Sequence, residues 1–223
     1  MSDPSVLSSD GDLVAVSKPT GWVVHAAMTD ERYDLRAWLT AQPKLPKGLE
    51  PLHRLDRDTS GVVLYAASSI TRARVGRYFM DGTVQKSYLA LVQGHAHKKG
   101  VIRVPLHPDD GGAPQDAVTR YRLEEALGAF SLLRVTPETG RKHQIRRHLH
   151  GLGLSVVGDE RYTPRKKLRV PAYPGRMFLH AARIELPDGQ VFEAPLPEEL
   201  SKCLVALRSR PERPKVESDP DPF

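Results

Sequence analysis

One short stretch, residues 53–61 with the sequence His-Arg-Leu-Asp-Arg-Asp-Thr-Ser-Gly, constrains this chain more than any other segment. It places Asp56 between two arginines and just before a five-residue apolar run, residues 62–66, that predicts a buried strand. The flanking guanidinium groups favour an ionised carboxylate, whereas burial beside the apolar run disfavours it. Such a carboxylate can act as a nucleophile or a general base. The same residues also fit a structural ion pair at a turn formed by the last three of them.

Five further segments accompany this stretch in a fixed order along the chain. They are residues 13–25 (LVAVSKPTGWVVH), 86–92 (KSYLALV), 139–148 (TGRKHQIRRH), 158–162 (GDERY) and 179–181 (LHA). Together with residues 53–61 they resemble the motifs of the RluA-type pseudouridine synthases, in which His-Arg-Leu-Asp-x-x-Thr-Ser-Gly carries the catalytic aspartate. The resemblance spans about residues 13–196, which is nearly the whole chain.

The chain alternates apolar strand-like runs with a few helical patterns and lacks regular strand-helix-strand repetition, which favours an α+β fold. Helices are predicted after a cap at Asp30, near 70–80 with Ser68 or Ser69 as cap, at 143–152, and after Pro197. Strands are predicted near 13–17, 22–25, 62–66, 87–93, 100–104, 117–123, 130–136, 178–186 and 190–194. The resemblance implies a mixed, largely antiparallel sheet flanked by a few helices and loops, with the active cleft across the sheet.

The same patterns divide the chain into three parts. Residues 1–11 are polar and are expected to be frayed. Residues 12–207 are expected to form the catalytic domain. Residues 208–223 hold four prolines, many charges and almost no apolar residues, and are expected to be a disordered tail. Relatives often carry an extra N-terminal RNA-binding domain, and the motifs here begin too early for one, so recognition is expected to fall on the catalytic domain.

Composition limits the setting of the protein. The single cysteine, Cys203, cannot form an internal disulfide and is expected to be a small buried residue, which favours a reducing cytoplasm. We find neither an apolar run of membrane-spanning length nor a leader-like start, and we expect a monomer. The net charge of +6 is uneven: residues 141–176 carry ten lysines and arginines against two acids. Such a local excess is typical of a phosphate-backbone contact, although a solvated charged face has the same composition.

The resemblance implies a function: conversion of uridine in structured transfer or ribosomal RNA to pseudouridine, without a cofactor because the reaction is an isomerisation. It assigns catalysis to Asp56, Tyr88 and Arg146. Asp56 would be the essential carboxylate, acting on the sugar, on the base or as a proton acceptor. Tyr88 would line the pocket and relay a proton from uracil carbon 5, or else pack structurally.

The predicted helix 143–152 offers two arginines that can reach Asp56. Ile145, Leu149 and Leu152 form its apolar stripe, and either Arg146 or Arg147 falls on the opposite face. A charge-assisted pair with one of them would hold Asp56 ionised. The resemblance assigns that role to Arg146, which leaves Arg147 as a phosphate contact.

Five residues are candidates for RNA binding: Arg54, Arg141, Lys142, His143 and Arg147. Arg54 could position Asp56 or occupy the space left by a flipped uridine. Residues 141–143 follow a Thr-Gly turn at a helix start, where amides and cations attract phosphate. The loop 161–176 is either a mobile RNA clamp or a solvated loop. The spacing of His143, His148 and His150 does not fit one helical face, so we predict no metal site.

Two other functions are compatible with parts of this pattern. A non-catalytic RNA-binding protein of the same fold would be expected to have lost the acid-base residues, and Asp56, Tyr88 and Arg146 are all present. A different carboxylate-based glycosyl enzyme, such as a nucleoside hydrolase, would need a paired carboxylate or a metal cluster, and only Asp58 is near.

Overall fold

The computed structural model describes residues 2–25, 33–163 and 169–209. Within those residues ten strands form one mixed sheet, in which the β4–β9 pair is parallel and the other strand pairs are antiparallel. The order is β1-β2-β4-β9-β5-β8-β7-β6, with β3 beside β4 and β10 beside β9. The strands are β1 (Ser5–Asp10), β2 (Leu13–Lys18), β3 (Glu50–Pro51), β4 (Ser60–Ala66), β5 (Gln85–Gln93), β6 (Lys99–Ile102), β7 (Thr119–Leu127), β8 (Phe130–Pro137), β9 (Leu179–Glu185) and β10 (Val191–Glu193).

Four helices pack against this sheet in the described part of the chain: α1 (Leu35–Thr40), α2 (Ser69–Met80), α3 (Gln144–Gly151) and α4 (Glu198–Arg208). The side-chain oxygen of Ser68 accepts a hydrogen bond from the backbone N–H of Thr71, so Ser68 caps α2. Asp34 caps α1. The cap predicted at Asp30 lies outside the described residues. Together the sheet and helices confirm the predicted α+β class with a largely antiparallel sheet.

The core lies on both faces of the sheet. Every residue of β4 is buried, because its alternate side chains pack into two separate apolar clusters. This double burial explains why β4 is a continuous apolar run rather than an alternating one. One of these clusters includes Leu55 and thereby anchors the start of the loop that carries Asp56. A third cluster holds Ile145 and Leu149, which fixes α3 against β5, β7 and β8.

The expected fraying of residues 1–11 is wrong, because Ser5–Asp10 forms β1 and pairs with β2. Gly11, at φ +52°, allows the chain to reverse into β2. The strand is mostly exposed, although Leu7 packs against a core cluster, so much of its stability comes from backbone pairing that an apolar pattern does not indicate. The strand predicted near 22–25 is also absent from the described residues, where Val23 forms only an isolated bridge to Asp34.

The C-terminal prediction is partly wrong in the same way. Arg208, which we assigned to the tail, ends α4 and donates hydrogen bonds to Glu125. Residues 210–223 of the predicted tail lie outside the described residues. Cys203 is fully buried in α4, as expected. None of the helices that the structure describes is long and apolar enough to cross a membrane.

Candidate active site

Asp56 lies in the loop between β3 and β4, and this loop is held against the turn that follows β2. The buried ammonium of Lys18 donates to the carbonyl oxygens of Pro19, Trp22 and Arg57 at 3.0, 2.7 and 2.9 Å. The backbone of Gly21 also donates to Arg57 at 2.9 Å. Burial, with the charge of Arg176, lowers the pKa of Lys18 to about 7. Arg57, the residue directly after Asp56, is therefore fixed by contacts with a distant segment.

The loop enters β4 through a close approach of two backbones. Gly61, at φ +125°, pairs with Ala181 of β9, and a Cβ atom added to it would lie 2.2 Å from the carbonyl oxygen of Ala181. Only glycine fits there without moving the β4–β9 contact. This contact fixes the point at which the Asp56 loop enters β4.

The carboxylate of Asp56 faces α3. Nη1 of Arg146 donates to Oδ2 of Asp56 at 3.3 Å, and the Asp56 side chain is 23% exposed. The structure thus pairs Asp56 with Arg146 rather than with Arg147. The flanking Arg54 and Arg57 do not reach this carboxylate: among the described residues, the basic side chains within 4 Å of it are Arg146 and His143.

Arg146 is itself held by a second carboxylate. Its Nε and Nη2 donate to both oxygens of Asp159 at 2.7 and 2.9 Å, and both side chains are buried. Burial alone would lower the pKa of Arg146, but hydrogen bonds and charge from Asp159 and Asp56 outweigh it and raise that pKa. Burial would likewise raise the pKa of Asp159, but its bonds to Arg146 lower it. Both groups therefore stay charged at neutral pH, and Arg146 has a single orientation.

His143 is the other basic residue beside Asp56. It precedes α3 with a left-handed backbone, φ 53° and ψ 25°, and its Nε2 lies 3.8 Å from Oδ1 of Asp56. Burial lowers the pKa of His143, although the charge of Asp56 opposes this. The imidazole is therefore neutral at neutral pH. Its Nε2 faces the carboxylate, and the residue belongs to the cleft lining.

Tyr88 enters the site from β5, where the register with β9 shifts between Ser87 and Tyr88. Such an irregularity re-aims a side chain relative to a regular strand. Burial and the charge of Asp56 raise the pKa of the Tyr88 phenol well above its usual range. Tyr88 is therefore a neutral phenol at neutral pH that can donate a hydrogen bond and present a ring face.

These groups line one cleft of about 760 Å³ across the sheet, large enough for a nucleotide. The lining residues that bear on function are Arg54, Asp56, Lys86, Tyr88, Arg141, Lys142, His143 and Arg146. Five lysines and arginines line the cleft against three acids, Asp56, Asp81 and Glu138. The cleft lining thus carries more positive than negative side chains, and Asp56 is paired with Arg146 within it.

The candidate RNA-binding residues fall into two groups. Arg54, Arg141 and Lys142 are exposed at the cleft, and Lys142 pairs with Asp109 at 2.5 Å. Arg147 lies outside the cleft lining and donates to the carbonyl oxygen of His107 at 2.8 Å. Of the 161–176 loop, residues 164–168 lie outside the described residues. Arg176 does not belong to an RNA clamp, because its buried side chain binds Ser60 and Glu199.

The three histidines that might suggest a metal site each have another partner. His143 faces Asp56, His148 contacts Thr119 and the carbonyl oxygen of Val104 at 2.9 Å each, and Nδ1 of His150 lies 3.0 Å from Ser155. In the described part of the chain no group of three or more His, Cys, Asp or Glu residues could hold a metal ion.

Sequence reasoning assigned no role to Lys18, Asp159 or Tyr162, which all support the site. Lys18 fixes the Asp56 loop, Asp159 orients Arg146, and the ring of Tyr162 lies 5.1 Å from the Arg146 guanidinium carbon. The signal was present, because these residues belong to segments 13–25 and 158–162 that we recognised as motifs. Lys18 closely follows an apolar run, which could have suggested a buried contact, whereas the polar segment 158–162 gives no such signal.

Comparison with known proteins shows what this chain as a whole is similar to. A family model described as RNA pseudouridylate synthase matches residues 12–151. The tRNA pseudouridine synthase C of Pasteurella multocida (strain Pm70) is 36% identical, over 80% of this chain and 84% of that protein. The ribosomal large subunit pseudouridine synthase D of Nitrosomonas europaea is 35% identical, over 92% of this chain and 66% of that protein. The match to tRNA pseudouridine synthase C of Pectobacterium carotovorum covers only 54% of that longer protein.

Two solved structures have the same fold over nearly their whole length. Human RNA Pseudouridylate Synthase Domain Containing 4 superposes with a TM-score of 0.79 at 26% identity and covers 93% of this chain and 94% of its own. Human RNA Pseudouridylate Synthase Domain Containing 1 gives a TM-score of 0.70 at 25% identity, with 95% and 97% covered.

Proposed function

The chain belongs to the RNA pseudouridylate synthase family, and on that premise we propose that Asp56 is its catalytic carboxylate and that its substrate is a uridine of transfer or ribosomal RNA. The protein is an RNA pseudouridine synthase, an isomerase, as the resemblance to the RluA-type enzymes implied. The observation that carries the assignment of Asp56 is its pairing with Arg146 at the cleft, with Arg146 fixed in turn by Asp159.

The reaction breaks the bond from ribose C1′ to uracil N1 and forms one from C1′ to C5. C5 loses its proton, and N1, freed from the sugar, takes one up. No atom or electron is gained or lost overall. A carboxylate suits the first step, because carboxylates stabilise or capture electron-poor sugar carbons. Arg146 keeps Asp56 oriented for this contact. Tyr88, a neutral phenol beside Asp56, supplies a ring face and a donor for the uracil.

A uracil inside a paired stem cannot reach this cleft, so the substrate uridine must be unpaired or flipped out. Arg54 is exposed at the cleft beside the Asp56 loop, where its side chain can occupy the space that the uridine leaves. Arg141 and Lys142 lie on the rim, in position to bind the flanking phosphates. Arg147 faces the segment around His107 and serves as a more distant contact.

Substrate class, location and assembly complete the proposal. Relatives are named for transfer RNA and for ribosomal RNA, so both classes are candidate substrates. The protein acts in the cytoplasm as a monomer, a setting that its one buried cysteine supports.

The proposal is tested with RNA carrying tritium at uracil carbon 5. Purified wild-type protein is incubated with transfer RNA, ribosomal RNA or total RNA, and tritium release is measured together with pseudouridine in the digested product. We expect tritium release with pseudouridine formation from at least one RNA class, and none from Asp56→Ala. Mapping pseudouridine in RNA from cells with and without this gene then identifies the position.

Two results would count against the proposal. Release of free uracil in place of pseudouridine would indicate a hydrolase. Equal inactivity of wild type and Asp56→Ala on every RNA class would indicate an RNA-binding protein without catalysis.

A further inference from the structure

Tyr162 contacts both of the basic side chains that face Asp56. Its ring lies 5.1 Å from the guanidinium carbon of Arg146, a distance typical of a cation–π contact. Its hydroxyl oxygen lies 3.1 Å from Nδ1 of His143. Arg146 faces Oδ2 of Asp56 and His143 faces Oδ1. Tyr162 therefore contacts the basic residue next to each oxygen of the carboxylate.

The geometry determines which nitrogen of His143 carries the proton. The pKa of His143 is lowered, so its ring is neutral at neutral pH and holds a single N–H. A carboxylate only accepts hydrogen bonds, so a hydrogen on Nε2, which faces Asp56 at 3.8 Å, is the electrostatically favoured arrangement. Nδ1 is then an acceptor, and the hydroxyl of Tyr162 must donate to it. The charged groups that act on this ring are Asp56, Lys142, Arg146, Arg161 and Asp109.

We propose that Tyr162 is a positioning residue for the reaction: by donating to Nδ1 of His143 it fixes the tautomer whose Nε2–H faces Asp56, and it thereby supplies a second donor to that carboxylate. This inference rests on the proposed function of Asp56. The separation of 3.8 Å between Nε2 and Oδ1 is longer than a hydrogen bond. Catalytic contacts of this kind shorten when substrate fills the site.

The backbone of His143 supports a role for its side chain. A left-handed conformation is unfavourable for a non-glycine residue, and such residues cluster at functional sites. At this position the carbonyl oxygen of His143 accepts the first α3 hydrogen bond, from Arg147 at 2.9 Å. Glycine or asparagine would adopt this backbone more easily. The imidazole is therefore held where its ring meets both Tyr162 and Asp56.

The two contacts of Tyr162 can be separated experimentally. Tyr162→Phe keeps the ring under Arg146 and removes only the hydroxyl. Tyr162→Leu removes both contacts. Tyr121→Phe is a matched control, because it removes one tyrosine hydroxyl from a buried position on β7 outside the cleft lining.

The experiment reads the tautomer directly, by the ¹⁵N chemical shifts of the His143 ring in the unliganded protein at neutral pH. We expect the Nε2–H tautomer in wild type and in Tyr121→Phe, and a mixture with substantial Nδ1–H in Tyr162→Phe. In kinetics, Tyr162→Phe should lower kcat roughly tenfold, the scale of one hydrogen bond to a charged group, with KM for RNA unchanged. His143→Gln, which keeps a donor, should retain more kcat than His143→Ala.

The possible outcomes separate this inference from the proposed function. If wild type forms pseudouridine but Tyr162→Phe leaves both the tautomer and kcat unchanged, only the positioning role of Tyr162 is wrong. A proton on Nδ1 of wild-type His143 also overturns it. If wild type forms no pseudouridine from any RNA, the proposed function fails and the positioning role fails with it.

Discussion

Asp159 binds the guanidinium of Arg146 with both of its carboxylate oxygens, at 2.7 and 2.9 Å, and both side chains are buried. Asp159 also accepts the backbone N–H groups of Arg161 and Tyr162 at 3.0 Å each. A carboxylate with this many donors is rigid, so the orientation of Arg146 toward Asp56 depends on it.

We therefore predict that Asp159→Asn lowers both stability and activity. Removing one partner of a buried ion pair typically costs about 3–5 kcal/mol, and Arg146 would keep only Asp56, at 3.3 Å, as a charged partner. The free energy of urea unfolding should fall by this order, and kcat should fall because Arg146 no longer has a fixed orientation. The exposed neighbour Glu160, changed to Gln, is the control and should keep both values. An Asp159→Asn protein with wild-type stability and kcat would show that Arg146 is held by other contacts.

Gly61 provides a test of how the Asp56 loop enters the sheet. A Cβ at this position would lie 2.2 Å from a backbone oxygen of Ala181, so Gly61→Ala must separate β4 from β9 or distort the loop. We expect a large loss of thermal stability and of pseudouridine formation. Gly76→Ala is the matched control, since nothing lies within 4 Å of a Cβ in that α2 position, and it should stabilise by about 0.5–1 kcal/mol. Equal melting temperatures for both variants would contradict the close approach.

The basic rim of the cleft predicts a specific salt dependence. Arginines on the outer strands and α4 pair with acids, as Arg208 does with Glu125, whereas no carboxylate among the described residues lies within 4 Å of the Arg141 guanidinium. A phosphate contact by Arg141 releases one counterion, so Arg141→Ala should reduce the slope of log association constant against log salt by about one. Arg208→Ala should leave this slope unchanged. The contact is absent if both variants give the wild-type slope in RNA binding.

His180 predicts a pH dependence of stability. Burial lowers its pKa from 6.5 to about 4, and its Nε2 lies 3.1 Å from the carbonyl oxygen of Ala194. The unfolded chain therefore binds a proton between pH 6.5 and pH 4 that the folded chain does not, so the free energy of unfolding falls as the pH drops through this window. Between pH 7 and pH 4, the free energy of unfolding of His180→Gln should fall by roughly 3 kcal/mol less than that of wild type. Urea unfolding at both pH values measures this difference. An equal fall in the free energy of unfolding of the two proteins would show that His180 does not cause it.

Much of the fold follows from local patterns. The apolar run after residue 61 predicts β4, the Ser68 region predicts the start of α2, and the leucines after Pro197 predict α4. The β4 and α4 predictions succeed because the apolar run and the leucines are buried, and the α2 prediction succeeds because Ser68 caps the helix. β1 was missed because four of its six residues are Ser or Asp, and much of its stability lies in backbone hydrogen bonds to β2.

The site was less predictable from sequence. Arg146 and Arg147 are adjacent, and which one faces Asp56 depends on the phase of α3, which His143 sets through its left-handed backbone. Asp159 is distant from Asp56 in the chain, and the two carboxylates are connected because both bind the guanidinium of Arg146. Arg54 and Arg57 flank Asp56 in the sequence and were expected to favour its ionised form. Adjacency in the chain does not determine where the charged end of a long side chain lies.

The central claim is that the carboxylate of Asp56 performs the isomerisation, and single-turnover pseudouridine formation with two matched variants tests it most directly. Asp56→Asn keeps the shape of the side chain and removes its charge, and Asp58→Asn makes the same change at an exposed residue of the same loop. We predict that RNA binding is retained in both, that Asp58→Asn forms pseudouridine at close to the wild-type rate, and that Asp56→Asn is slower by about a thousandfold or more. An Asp56→Asn rate within about tenfold of wild type would contradict the claim.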